Sequence, residues 1–107
     1  MRKIFSGAMI LAAGMFLVSS IGFAQSTGES VYKAKCQSCH GANGTPTQLM
    51  AKSMNLKSAS DPAVKAKSEA AQIELTKKGV GKMQGYAGKL TDDQIKASVQ
   101  YFRSLGK

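Results

Sequence analysis

The stretch YKAKCQSCHGANGTP, residues Tyr32 to Pro46, contains both cysteines and the sole histidine of a 107-residue chain. Cys36, Cys39 and His40 fall within five consecutive positions, Cys-Gln-Ser-Cys-His. Four chemistries use side chains of this kind at this spacing: a redox dithiol, a metal site, a short disulfide and a covalent cofactor anchor.

A redox Cys-x-x-Cys pair sits at a helix N-terminus within an α/β unit, where the helix lowers the thiol pKa. No run of alternating or continuous β-branched residues is present to supply such a sheet. A closed zinc site needs four ligands, usually from two clusters, and no second cluster exists. A Cys36–Cys39 disulfide would close too small a loop to stabilise much. Cys-x-x-Cys-His is the attachment motif of c-type haem, and this reading uses every reactive atom. Cys36 and Cys39, three apart, share a helix face and can reach one edge of a flat ring. His40 then supplies the proximal iron ligand.

The rest of the chain agrees. Residues 1–24 have a basic head (Arg2, Lys3), an apolar run from about Ile4 to Phe23, and a small-x-small end at Gly22-Phe23-Ala24. This is the pattern of a secretory signal cleaved after Ala24; the alternative is an uncleaved membrane anchor. The domain is then 25–107, the 83 residues left when 24 are removed from 107. It keeps 13 of the 15 basic residues and all six acids, for a formal charge of +7. Its aromatic residues are Phe102, Tyr32, Tyr86 and Tyr101 alone. So small a domain has a marginal core and needs a staple or a large cofactor.

Periodicity and turn residues predict an all-α chain of three or four helices. The first runs from Gly28 to His40, with Val31, Tyr32 and Ala34 on or near one face. Gly41–Gln48 is a loop, and Met50–Leu56 a short helical turn. A further helix, starting at Ala63 or Ser68, stops at Gly79. Gly79–Lys89, with four glycines in eleven residues, is a loop. The last helix opens on a capping box, Thr91 to Gln94, and carries Ile95, Val99, Phe102 and Leu105 as an apolar stripe.

With one histidine in the chain, bis-histidine ligation is excluded. Met83 sits in the glycine-rich loop, where backbone can approach a ring closely, and is the candidate distal ligand. Met50 and Met54, at helical spacing, are read as packing residues. An open sixth position is the alternative.

These features resemble the class I c-type cytochromes, small single-haem proteins of the bacterial periplasm. The resemblance covers roughly Gly28–Pro46 and Lys77–Leu105. It implies a small helical domain wrapped around one covalent haem c, bound through Cys36 and Cys39, with His40 and Met83 as axial ligands. It implies that the Pro46 carbonyl accepts from the proximal imidazole. It also implies that Gly28 and Tyr32 cross the last helix at Ser98 and Tyr101. One departure is that Gln84 follows Met83, where many members have proline.

The function so implied is that of an electron carrier, not an enzyme, its iron alternating between two oxidation states in the periplasm. The expected partners are redox proteins with acidic docking surfaces, met by a rim of Lys33, Lys35, Lys77, Lys78, Lys82 and Lys89. The pocket is expected to be lined by Leu49, Leu56, Ile73, Leu75, Val80, Val99 and Phe102. Nucleic acid is not an expected partner, because no basic tract is interleaved with aromatics. Membrane contact arises only through a membrane-bound partner or an uncleaved signal. A ligand sensor or weak peroxidase with an open iron, and an electron-transfer subunit of a larger oxidoreductase, are the alternatives. If the ring replaces missing core, a Cys36→Ala, Cys39→Ala chain without haem is expected to be largely unfolded. A cooperative thermal melt of that variant by circular dichroism would count against it.

Overall fold

Thr91 starts the longest helix among the described residues. Its hydroxyl oxygen accepts from the Gln94 amide at 3.1 Å, and the Gln94 side chain accepts from the Thr91 amide at 2.9 Å, so both halves of the capping box form. Asp92 and Asp93 occupy its first turn and Arg103 its last, each at the end of the helix dipole that favours its charge. The computed structural model describes residues 27–107, so the signal expected at 1–24 lies outside the described residues. Among them run six helices: α1 (27–35), α2 (Gln37–His40), α3 (Gln48–Met54), α4 (Pro62–Lys65), α5 (Glu69–Lys78) and α6 (Asp92–Leu105). No strand occurs among these residues, only isolated bridges at Val80–Met83 and Ala87–Leu90.

Six helices stand where three or four are expected, and local capping accounts for the difference. Asp61 caps α4 through the Ala63 amide, with Pro62 at the first helical position. Only seven residues later Ser68, in extended backbone, caps α5 through the Ala71 amide. Two starts so close together divide what the sequence reads as one helix. The first helix divides too: Cys36 is a turn residue, and the Cys39 amide donates back three residues to Cys36. Ala34, expected on the buried face, is exposed.

The core is the crossing of α1 and α6. Tyr32 and Ile95 are 1% and 0% exposed, and Val31, Val99 and Ser98 are buried with them. The Tyr32 ring lies 5.2 Å from Tyr101 and 6.2 Å from Phe102, centre to centre. Gly28 permits the approach, because a β-carbon there would lie 2.4 Å from the Ala97 carbonyl oxygen. The nearest contact is thus the Ala97 carbonyl, one residue before the buried Ser98. Ser98 donates its hydroxyl to the Ile95 carbonyl within α6.

On its other side α6 packs against α5. The Arg103 guanidinium donates to the Gln72 side-chain oxygen at 2.9 Å and to the Lys67 carbonyl at 2.8 Å. Gln72, itself buried, passes its amide N–H to the Val64 carbonyl. This network ties α4 and α5 to the end of α6.

Gly28→Ala is expected to destabilise the folded protein by about 1–3 kcal/mol, the usual cost of forcing extra atoms into a packed contact. A chemical-denaturation midpoint equal to that of the wild type would place the helix crossing elsewhere.

Candidate functional site

The α1–α6 crossing, the end of α3, α5 and the loop after it leave a cavity of about 580 Å³ between them. That volume lies within the range of about 300–1,000 Å³ typical of ligand pockets. Cys36 and His40 border it from the α1–α2 turn, and Met83 from the loop between α5 and α6. Leu56, Leu75, Val80, Val99 and Phe102 line it as expected, joined by Met54 and Tyr32. Leu49 does not: it is 75% exposed on α3. Ile73, Met50, Cys39 and Pro46 are also absent from the lining.

His40 is held by its neighbours. Its ring meets Phe102 edge-on at 5.3 Å. Burial lowers its pKa from the ordinary histidine value, so the imidazole is neutral and keeps a lone pair for a metal. Nδ1 is buried with no hydrogen-bond partner. The expected acceptance by the Pro46 carbonyl is therefore not made in this structure. The loop leading to Pro46 is closed on itself instead, through Gly44 N–H to the Gly41 carbonyl and Thr45 N–H to the Asn43 side chain. The Tyr32 hydroxyl donates to the Gly41 carbonyl at 2.6 Å, tying the residue after His40 to the helix crossing.

Cys36 and Cys39 are free and half-buried, with no disulfide between them. Burial first, and then Cys39, pushes the Cys36 thiol up to about 11. A redox dithiol needs the opposite shift, so the structure argues against that chemistry. Among the described residues no group of three or more His, Cys, Asp and Glu side chains is placed to hold a metal ion directly. An iron that arrives within its own ring fits better. The two thiols of the Cys36–His40 segment, a neutral imidazole with an orphaned buried nitrogen, and a thioether bordering the same cavity are the donor set a covalent haem requires.

The electrostatics of the cavity were not visible in the sequence. Lys52, Lys57, Lys67 and Lys82 line it, and no Asp or Glu does. Acids are engaged elsewhere: Glu29 with Lys33 at 2.7 Å, Glu74 with Lys78 at 3.4 Å, and Asp92 with Lys77 at 3.5 Å. Of the six lysines expected at the rim, Lys82 alone lines the cavity. The other three cavity lysines belong to the middle of the chain, where no motif marks them. Two haem carboxylates would meet cations there.

Burial, with smaller effects from Cys36 and Tyr101, raises the Tyr32 phenol from 10.0 to about 12. Its neutral form therefore contributes stability in full below pH 10.0, lost as pH rises from there towards about 12. Tyr32→Phe is expected to lose about 1 kcal/mol near neutrality with the hydrogen bond. It should also show a shallower alkaline loss than the wild type. Denaturation midpoints measured as a pH series check this, and identical alkaline slopes would refute it.

The family model described as "Cytochrome C oxidase, cbb3-type, subunit III" matches residues 23–102. Among solved structures, the KustC0563 c-type cytochrome is 30% identical, with a TM-score of 0.67, covering 75% of this chain and 98% of that one. A mutant of the same protein is 27% identical with a TM-score of 0.66, covering 74% of this chain and 98% of that one. No curated protein matches the chain.

Proposed function

The chain belongs to the c-type cytochromes, in the family described as subunit III of cbb3-type cytochrome c oxidase, and from that membership we propose that it is a periplasmic carrier of single electrons. It binds haem c covalently and serves haem-based electron transfer. The observation that carries the proposal is that Cys36, His40 and Met83 border the same cavity.

When bound, the haem supplies an iron that gains or loses one electron. The chain's residues do the rest. Cys36 and Cys39 supply the thiols of the two thioether links. His40, kept neutral by burial, would offer its lone pair to the iron. Met83 would offer a soft sulfur, a ligand type that favours the reduced metal. Leu56, Leu75, Val99 and Phe102 exclude water, so little solvent reorganises when charge changes.

Docking follows from the cavity rim. Val80 borders the cavity and is 52% exposed, an apolar contact point beside Lys82. Lys52, Lys57, Lys67 and Lys82 present positive charge around the opening and steer an acidic redox protein towards it. Such contacts give fast association and a short-lived complex. Residues 1–24 act in this reading as the signal that sends the chain to the periplasm. A second reading, that the chain works as the electron-transfer subunit of a larger oxidoreductase, is favoured by the description of the family model it matches.

The oxidised protein, matured in a host that attaches haem, is expected to show a weak far-red sulfur-to-iron band, and Met83→Ala to lose it. The reduced wild type is expected to bind carbon monoxide slowly and Met83→Ala rapidly. Fast binding to both, with no far-red band in either, would replace the carrier by a haem protein with an open sixth position.

A further inference from the structure

Met83 is held in a loop with little intrinsic stiffness. Glutamine follows it, and glycines stand at positions 79, 81 and 85. Yet the loop is closed on itself and anchored on α5, on α3 and on the chain before Cys36. Its backbone closes a tight turn, Val80 N–H to the Met83 carbonyl at 3.1 Å and Met83 N–H to the Val80 carbonyl at 2.9 Å. Its far end lies on the C-terminus of α5, where Tyr86 N–H and Ala87 N–H donate to the Thr76 and Lys77 carbonyls. Gly85 allows this contact, since a β-carbon there would lie 2.6 Å from the Lys77 carbonyl oxygen.

Two side chains then reach away from α5, to other walls of the site. The Lys82 ammonium donates to the Ser53 carbonyl at 2.7 Å, across 29 residues of sequence. Ser53 lies in the last turn of α3, where carbonyls lack helical partners and the dipole end is negative. The Tyr86 hydroxyl donates to the Lys35 carbonyl at 3.1 Å, across 51 residues. That carbonyl is available because the Cys39 amide turns back to Cys36. Gln84 donates its side-chain amide to the Tyr86 hydroxyl and accepts from Lys89, which keeps the phenol oriented.

We propose that Lys82 and Tyr86 are positioning residues that hold Met83 over the cavity, one tying its loop to α3 and the other to the chain just before Cys36, and that these two ties set how readily a foreign ligand displaces the thioether. The inference rests on Met83 being the distal ligand. It adds a division of labour: Met83 supplies the sulfur, while the two ties supply the stiffness that proline gives related chains. With either tie lost, the loop remains on α5 but gains freedom to swing from the α3 wall or from the haem-attachment wall.

The test is imidazole titration of the oxidised, haem-loaded protein, followed by absorbance. A ligand that must displace sulfur binds more tightly when the sulfur is held less firmly. Lys82→Ala and Tyr86→Phe are each expected to lower the apparent imidazole Kd by roughly two- to tenfold, the factor one hydrogen bond supplies. The double variant should approach the product of the two factors, since the ties reach separate walls. In a Met83→Ala background, where no sulfur competes, neither substitution should change the Kd. Unchanged affinity in both single variants, while Met83→Ala alone binds imidazole more tightly, would overturn the proposal and leave Met83 as ligand. A shift that persists in the Met83→Ala background would also overturn it, because the lysine charge or the phenol would then act on the incoming ligand directly. If Met83→Ala binds imidazole no more tightly than wild type, the ligand assignment itself falls, and the ties have nothing to hold.

Discussion

Where α1 crosses α6, the Gly28 backbone lies against the Ala97 carbonyl so closely that no β-carbon fits. That approach brings Tyr32 between Tyr101 and Phe102 and sends its hydroxyl to the Gly41 carbonyl. Phe102 in turn meets the His40 ring. One contact without a side chain thus governs where the thiols and the imidazole stand. Had the helices been held apart by a methyl group, the Cys36–His40 turn would be displaced from the wall that α6 provides.

The same crossing leaves a space that protein atoms do not fill. Among the described residues the buried apolar side chains are few: Val31, Tyr32, Ala59, Ile95 and Val99. A domain of about 80 residues with so thin a core has little margin against chain entropy. The cavity of about 580 Å³ lies beside these residues, bordered by Val99, Leu75 and Leu56. In a c-type cytochrome the haem takes that place, so cofactor and core are the same object. Electron transfer and folding stability then draw on one set of apolar contacts, and a rigid, dry surrounding for the iron comes with the fold.

Much of this was legible in the sequence where a residue acts locally or a motif has few uses. Cys36, Cys39 and His40 leave few chemistries open, and Thr91 to Gln94 announces a helix start that needs nothing from the rest of the chain. Gly28 was legible only through the family resemblance, and its nearest opposing contact proved to be the Ala97 carbonyl. A helix face read from sequence is uncertain by about a residue, because neighbours in sequence differ by about 100° in direction. Of the two starts the sequence offers, Ala63 and Ser68, both are used, because Asp61 and Ser68 each cap a helix of their own. Lys52, Lys57 and Lys67 look in sequence like any solvated lysine; only the fold brings them to one cavity. The Lys82–Ser53 and Tyr86–Lys35 contacts join residues 29 and 51 apart, and no local pattern encodes such pairs.

The raised thiol of Cys36 has a consequence for how the molecule is made. Sulfur reacts as the thiolate, and in the closed fold burial holds Cys36 protonated far above neutral pH, up to about 11. The finished architecture is therefore a poor place to forge its own covalent links. Thiolate chemistry at this position is favoured when the Cys36–His40 turn is open to solvent. The closed fold thus shelters the very sulfur a covalent ring must reach, and a chain whose Cys36–His40 turn is open presents it more readily.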